Sequence, residues 1–183
     1  MIDSQLRTSG VNEEFALKRM MAVAREDFLP ERKRALAYID RSVAVDGGAL
    51  ASPLFYGKAL LEAVPTSTDN ALIVEGGTGY LTALVEPLIG KIEAIGAEHA
   101  STEHLQVESY TLIMIDGAIE QLPRAIFDSL REGGRIVSGL LQRQVTRLAS
   151  GRKVAGRVSL QAIEDLGIPV LHAFDAPKKW TFT

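Results

Sequence analysis

Hydrophobic residues in the first forty positions recur at the spacing of an amphipathic helix. Asn12 precedes two acidic residues, as at the start of many helices, and the apolar positions that follow are Phe15, Leu17, Met20, Met21 and Val23. The segment 25–30 ends this helix, and Pro30 begins a second short helical segment. Because no strand-like pattern occurs before residue 43, residues 3–40 are predicted to be helical.

From residue 71 onward, short apolar runs alternate with amphipathic segments. The apolar runs have the length of buried strands and cover residues 71–74, 91–95, 111–115 and 135–141. The amphipathic segments between them predict helices at 80–88 and 123–130. Strands that alternate with helices form parallel sheets, so this order predicts an α/β fold with helices on both faces of the sheet.

Glycine-containing segments mark candidate hairpins before and after this alternation. Residues 43–52 are interpreted as a loop or short hairpin around Gly47 and Gly48. Residues 145–160 are predicted to form an antiparallel hairpin with its turn at 151–153. Further short edge strands are expected at 167–170 and 180–182.

The 183 residues suit one folded unit with two regions. Residues 1–65 are interpreted as an N-terminal helical cap and loop. Residues 66–183 are interpreted as the α/β domain, with the cap packed on it. A chain of this length buries roughly 70% of the surface of its unfolded form, which is enough for a hydrophobic core of its own.

Composition and charge argue against several classes of function. The net charge is −3 and the pI is about 5.7, so the chain lacks the basic excess that binds nucleic acid or an anionic membrane. It has no cysteine, which excludes disulfides, thiolate catalysis and cysteine metal ligands. No apolar run approaches the ~20 residues that span a bilayer, and no apolar signal segment is evident, so a cytoplasmic location is expected.

A glycine-rich turn is the clearest candidate for a ligand site. Residues 71–84 read ALIVEGGTGYLTAL, which is an apolar strand, a turn with three glycines and the start of a helix. Glycine lets the backbone approach a ligand closely, and a helix start offers free N–H groups. Asp116 joins the candidate site because it follows an apolar strand at the sheet edge where ligands bind. The residues of the turn that are predicted to contact a nucleotide-type cofactor are Gly76, Gly77, Thr78 and Gly79.

Several motifs together indicate a family. They are REDFLP at 25–30, RALAY at 34–38, DR at 40–41, GTGY at 77–80 and EGGRIV at 132–137. In these motifs, and over most of its length, the chain resembles the protein-L-isoaspartate O-methyltransferases. The resemblance implies a Rossmann-like sheet, S-adenosylmethionine as the cofactor, and methyl transfer to the carboxylate of damaged aspartyl sites in proteins.

Four departures from the family pattern concern the cofactor and the reaction. The resemblance places Ala51 where the family has the serine that serves the reaction, and Gly96 where the family has the acid that binds the ribose. In an ungapped alignment Glu75 replaces the first glycine of the turn, which brings a carboxylate toward the carboxylate of the cofactor. The segment 96–110 is too short for the further strand that the family has there. The sheet is therefore expected to lack one parallel strand and to leave the second strand at its edge.

These departures lead to two main hypotheses for function. The preferred one is a diverged family member with weak or no S-adenosylmethionine-dependent methyl transfer, in which no side chain has a catalytic role. Such a protein would act through protein contact, and a homodimer that closes the exposed sheet edge is the simplest case. The alternative is an active carboxyl methyltransferase that repairs isoaspartyl residues. A site for another small molecule, or a purely structural glycine turn, also fits the motif.

Four other side chains are candidates for the missing groups or for a metal ion. Ser52 lies next to Ala51, and Glu98 lies just past the second strand, but a structural role is preferred for both. His99 and Glu103 would share one face of a helix and could hold a metal ion. Because no third ligand is evident, no metal site is predicted.

Overall fold

A seven-stranded mixed sheet forms the centre of the protein in a computed structural model, which describes residues 1–100 and 104–177. The strands are β1 (Val43–Val45), β2 (Gly48–Leu50), β3 (Asn70–Glu75), β4 (Lys91–Gly96), β5 (Tyr110–Ile119), β6 (Leu130–Gln142), β7 (Val145–Val154), β8 (Arg157–Val158) and β9 (Gln161–Asp165). The α-helices are α1 (Glu14–Ala22), α2 (Pro53–Ala63), α3 (Tyr80–Val85) and α4 (Arg124–Ser129). Short 3₁₀ or π segments lie at Ile2–Leu6, Arg7–Ser9, Arg25–Phe28, Glu31–Leu36, Glu86–Leu88 and His172–Phe174.

The sheet has the strand order β4-β3-β5-β6-β7-β8, and β9 also pairs with β7. β4, β3, β5 and β6 are parallel to one another, whereas β7, β8 and β9 pair in antiparallel fashion. β1 and β2 form a separate hairpin. The predicted α/β class, with a Rossmann-like parallel sheet, an N-terminal helical region and antiparallel C-terminal strands, is confirmed.

β4 lies at one edge of the sheet, as the sequence predicted. Within the described residues it pairs with β3 and with no other strand. Residues 97–109 connect it to β5, and those of them that are described form turns and irregular segments. The described part of the connection, residues 97–100 and 104–109, therefore supplies no strand to cover β4.

One hydrophobic cluster joins the N-terminal helices to the sheet. It includes Leu17 of α1, Leu60 of α2 and Ile73 of β3, all of them buried. α2 begins at Pro53, and the preceding Ser52 Oγ accepts a hydrogen bond from Phe55 N over 3.3 Å. Ser52 is therefore the N-cap of α2, which is a structural role. The division of the chain after residue 65 stays a prediction.

The C-terminal hairpin was predicted with its turn in the wrong place. β7 runs without interruption through residues 151–153. Gly151 fits within the strand because the chain passes close to it, and a β-carbon there would lie 2.7 Å from Ser159 O. The turns lie at Arg143-Gln144 and Ala155-Gly156, where φ is between 51° and 68°. Two-residue turns with this left-handed backbone match the twist of antiparallel strands.

The end of β5 and the C-terminal segment also differ from expectation. β5 continues past the predicted 111–115 as far as Ile119, so Asp116 lies inside the strand instead of at its end. The expected strand at 167–170 is only an isolated bridge between Val170 and Ala118. The expected strand at 180–182 lies outside the described residues.

The helices are short compared with the thickness of a membrane. α2 has 11 residues, whereas a membrane-spanning helix needs about 20 apolar residues. Of the helices in residues 1–100 and 104–177, none has the length and apolar character to cross a bilayer.

Candidate functional site

The glycine turn lies between β3 and α3, and its first two glycines, Gly76 and Gly77, pack against the β1–β2 hairpin. Ala49 N donates a hydrogen bond to Gly76 O over 3.1 Å. A β-carbon added to Gly48 would lie 1.9 Å from Gly76 O, and one added to Gly77 would lie 2.6 Å from Gly47 O. These distances leave no room for a side chain, so the hairpin and the turn pack backbone against backbone.

Gly76 is also packed against β5. A β-carbon at this position would lie 2.1 Å from Asp116 O and 3.4 Å from Asp116 Cγ. The structure thus brings together two of the predicted site residues, but it does so through a backbone contact. Glycine at position 76 is required by the fold itself.

The carboxylate of Glu75 accepts hydrogen bonds from N–H groups at the start of α3. It accepts hydrogen bonds from Gly79 N over 3.1 Å and from Thr82 N over 3.0 Å, and also from the Thr82 hydroxyl. Tyr80 N donates to Thr78 Oγ1 over 3.4 Å. A helix start offers such N–H groups to an anion when they are free. In this protein Glu75 is the anion that caps α3.

A small cavity lies beside the turn. Its volume is about 210 Å³, and Glu75, Gly76, Glu98 and Leu171 are among the residues that line it. Small-molecule sites usually have ~300–1,000 Å³. The Glu98 carboxylate folds over Gly96, with Oε1 only 2.4 Å from where a β-carbon of residue 96 would lie. A carboxylate is therefore present close to the position at which the family resemblance expects the ribose-binding acid.

The C-terminal segment covers the end of β5. Ala118 N donates to Pro169 O over 2.7 Å, and Leu171 N donates to Ala118 O over 2.8 Å. A β-carbon at Gly117 would lie 2.6 Å from Leu171 Cγ. Ligands of α/β folds bind at this edge of the sheet. Here the chain itself fills that edge at β5.

Arg25 is the centre of a buried polar cluster beside the hairpin. It is fully buried and donates through Nε to Ala37 O over 2.6 Å and through Nη2 to Ala51 O over 2.7 Å. Its Cζ lies 5.5 Å from the ring centroid of Tyr56 and 5.1 Å from that of Tyr80. Ala51 N in turn donates to the Tyr56 hydroxyl over 3.2 Å. Arg25 therefore fixes the N-terminal region to the segment that the family resemblance links with the reaction.

Asp116 is a buried acid with no well-formed hydrogen bond. It is 2% exposed, and among the described residues neither carboxylate oxygen has a partner of good hydrogen-bond geometry, although the Tyr56 hydroxyl and the Gly76 amide lie near enough to affect its pKa. Burial, and after it the charge of Glu75, raises the pKa of Asp116 to about 8. Tyr56, the Gly76 amide and Arg25 lower the pKa but do not offset burial. At neutral pH Asp116 is mostly protonated and does not provide an anion to the site.

Because of Asp116, the free energy of unfolding is expected to decrease as the pH rises from 3.8 to about 8. In this range the unfolded chain has released the proton and the folded chain keeps it, so each pH unit favours unfolding by up to about 1.4 kcal/mol. Below the range both states are protonated, and above it both are ionised. The Asp116→Asn variant has the shape of the neutral acid, and we expect it to lack this slope.

Urea unfolding of the wild type and of Asp116→Asn across this pH range measures the effect. The variant should become increasingly more stable than the wild type as the pH approaches 8. Asp46→Asn is the matched control, since the Asp46 side chain is 98% exposed. Parallel stability curves for wild type and Asp116→Asn would show that Asp116 titrates normally.

The remaining predicted residues have less specific surroundings. Gly77 is exposed, and Thr78 and Gly79 are half-buried along the turn. Their contact with a cofactor stays a prediction. The sequence did not reveal the coverage of β5 by Leu171, for which no motif exists. Arg25 belongs to the motif at 25–30, but nothing in that motif indicates that its side chain is buried.

The described residues contain no metal centre. His99 Nδ1 lies 3.4 Å from Glu98 Oε1, and Glu103 lies outside the described residues. Within 1–100 and 104–177, no three His, Cys, Asp or Glu side chains are grouped so that they could hold a metal ion.

One family model and two known proteins show what this chain is similar to. A model of the family described as protein-L-isoaspartate(D-aspartate) O-methyltransferase (PCMT) matches residues 1–110. A protein-L-isoaspartate O-methyltransferase from Koribacter versatilis is 30% identical, with 90% of this chain and 86% of the relative covered. One from Methanoculleus marisnigri is 25% identical, with coverages of 86% and 83%.

A solved structure shares the fold. It is a protein-L-isoaspartate O-methyltransferase from Plasmodium falciparum in complex with S-adenosyl-L-homocysteine. Its TM-score is 0.70 at 18% sequence identity, and the match covers 92% of this chain and 95% of the other. At this identity the likeness concerns the arrangement of helices and strands.

Proposed function

We propose, from the fact that this chain belongs to the protein-L-isoaspartate(D-aspartate) O-methyltransferase family, that it is a member with weak or no methyl transfer. It keeps the fold of the family, does not bind S-adenosylmethionine productively, and acts through contact with protein. Family membership supplies the expected cofactor, S-adenosylmethionine, and the geometry of the glycine turn supports the loss of its binding.

The observation that carries this proposal is the packing of the hairpin on the glycine turn. A glycine turn serves a cofactor by leaving its backbone open to close approach. Here Gly76 O is bonded to Ala49 N, and the backbones of Gly48 and Gly76 are too close to admit even a methyl group. A ligand that approaches the backbone of Gly76 from this side would have to displace the hairpin and break this bond.

Two further observations support the same conclusion. Glu75 already bonds Gly79 N and Thr82 N at the start of α3, so these two groups are not free for a carboxylate of the cofactor. The cavity beside the turn has about 210 Å³, which is below the ~300–1,000 Å³ of ordinary small-molecule sites. Both observations support the proposal that this site does not accommodate an adenosyl cofactor.

Binding decides activity in this type of reaction. Transfer of a methyl group from a sulfonium to a carboxylate is a direct displacement, so positioning of the two reactants supplies most of the acceleration. Ala51 is fully buried and offers no hydroxyl, but the loss of one hydrogen bond would only slow the reaction. The affinity for S-adenosylmethionine is therefore the property to measure.

An active S-adenosylmethionine-dependent methyltransferase that repairs isoaspartyl residues is the second candidate. One observation favours it. The Glu98 carboxylate lies over Gly96 at the end of β4 and lines the cavity. A carboxylate at this place can accept both ribose hydroxyls, as acids after the second strand do in nucleotide-binding folds.

Calorimetric titration with S-adenosylmethionine separates the two candidates. We expect no binding heat for the wild type at millimolar cofactor, with the Koribacter versatilis relative as the positive control. Micromolar binding by the wild type would contradict the proposal. In that case Glu98→Gln is informative, because loss of binding in this variant would assign the ribose contact to Glu98.

A transfer assay completes the test. Wild-type protein is incubated with S-adenosylmethionine carrying a labelled methyl group and with an isoaspartyl peptide. We expect no label in the peptide above the level of a protein-free reaction. Methyl ester formation at a rate comparable with that of the Koribacter versatilis relative would establish the second candidate.

A further inference from the structure

We propose that the open edge of β4 is the interface of a homodimer, in which β4 pairs antiparallel with β4 of a second copy and Lys91 lies opposite Glu93. Two observations carry the proposal: the direction of the backbone groups of β4 and the charges along it. Neither depends on whether the chain binds S-adenosylmethionine, so the two proposals fail or succeed independently.

The backbone of β4 presents alternate residues to the open edge. Lys91 N donates to Asp69 O over 3.1 Å, and beyond the strand Ala97 N donates to Glu75 O over 3.2 Å. Both bonds are made on the β3 side. Because N–H groups alternate in direction along a strand, every second residue between them faces β3 as well. The residues whose N–H and C=O groups face the open edge are Ile92, Ala94 and Gly96.

This edge is accessible along most of its length. Lys91, Glu93 and Ala94 are exposed, Ile92 and Gly96 are half-buried, and Ile95 is buried. In the part of the chain that the structure describes, no strand pairs with this side of β4. Unpaired N–H and C=O groups in an accessible row are a template for another strand.

The charged residues of β4 favour one of the possible registers between the two copies of the strand. In an antiparallel pair, residues whose N–H and C=O groups face the open edge must lie opposite one another. Near the middle of β4, the two-fold axis can therefore lie at Ile92, Glu93 or Ala94. An axis at Glu93 sets that residue against its own copy, and like charges directly opposite are destabilising. An axis at Ala94 leaves both charged residues opposite apolar ones. An axis at Ile92 sets each Lys91 opposite Glu93 of the other copy and forms two ion pairs.

The register centred on Ile92 also agrees with the local geometry. The two Ile92 residues would exchange a pair of N–H···O bonds. Lys91 and Glu93 would then occupy the flanking positions without ladder bonds, where side chains approach most closely. Glu93 Oε2 accepts a hydrogen bond from the Tyr110 hydroxyl of β5 over 2.5 Å, on the interior side of β4. An ion pair with Lys91 of the second copy would therefore use the other carboxylate oxygen or replace this bond. Lys91 is two residues away from Glu93 and therefore projects from the same face of the sheet.

The same charges disfavour other partners. A short edge strand with exposed charged residues resists pairing with unrelated strands. β4 has six residues and carries one charge of each sign on one face. This pattern is complementary to its own antiparallel copy, which gives the edge a preference for a second copy of this chain.

Charge reversal tests the register. The oligomeric state of wild type, Lys91→Glu, Glu93→Lys and the double variant is measured by sedimentation velocity at low ionic strength. We expect a dimer for the wild type and the double variant. Each single variant should bind itself at least about tenfold more weakly, since two attractive pairs become repulsive. An equimolar mixture of the two single variants should again form dimers.

Cysteine cross-linking provides an independent measurement. The chain has no cysteine, so Ile92→Cys introduces a single thiol that would face its own copy across the axis. It should form a disulfide-linked dimer on mild oxidation, whereas Ala94→Cys, four positions off register from its copy, should not. A monomeric wild type, or single charge variants that dimerise as well as the wild type, would overturn the proposal.

Discussion

Replacing Arg25 by methionine is expected to destabilise the protein by about 3–5 kcal/mol, because two buried carbonyl groups lose a charged donor at roughly 1–3 kcal/mol each and two aromatic rings lose a cation. The carbonyl groups are those of Ala37 and Ala51, and the rings are those of Tyr56 and Tyr80. Urea unfolding measures the change. Methionine keeps much of the side-chain volume, so the loss reports mainly on the polar contacts.

Two further variants make this result specific. Arg34→Met changes an exposed arginine of the same N-terminal region and should leave stability almost unchanged. Arg25→Lys should recover little, because a single ammonium group cannot replace the two nitrogens that bond separate carbonyl groups. If Arg25→Met unfolded at the urea concentration of the wild type, Arg25 would not be what fixes the N-terminal region to the hairpin.

Replacing Gly48 by alanine is expected to destabilise the protein by about 3 kcal/mol or more, since the new methyl group has no space and the backbone must move. Its β-carbon would lie 1.9 Å from Gly76 O. Relief of this contact requires the hairpin to move away from the turn and to lose the bond from Ala49 N to Gly76 O. Thermal and urea unfolding both measure the loss.

Gly47→Ala is the matched control for the hairpin. Gly47 has φ of +85° and no atom within 4 Å of a β-carbon, so alanine there meets backbone strain but no clash. We expect a cost of about 1 kcal/mol for that strain. Equal effects of the two substitutions would mean that the hairpin does not press on the glycine turn in solution.

The centre of the sheet was predictable because a buried parallel strand needs apolar residues on both faces. Ala71 to Val74 are all fully buried in β3, and their uninterrupted apolar run identifies both the strand and its depth. The edge position of β4 was predictable from chain length, since residues 97–109 are too few for another strand and its connections.

The turns of the C-terminal strands were not predictable from residue types. Arg143 and Gln144 have left-handed backbone, although neither is one of the residues that favour it. Gly151 suggests a turn, yet it lies inside β7 because the chain at Ser159 passes close to it. In both cases contacts between strands decide the conformation, and a local pattern does not contain them.

The packing around the glycine turn could not be predicted from the sequence either. The sequence identified Gly76 and Asp116 as candidates, and the structure places them in contact. A glycine that must admit a ligand and a glycine that must admit another backbone segment look identical in sequence. The segments that pack on this turn, at Gly48 and Asp116, are distant along the chain. Their approach is a property of the tertiary structure.

The neutral side chain of Asp116 has a consequence for the folding equilibrium. Since it is buried as an acid and ionises once it reaches water, each molecule that unfolds near neutral pH gives up one proton from this position. Hydrogen ions thus act as a ligand of the folded chain, and mild acidification shifts the population toward the native state by mass action.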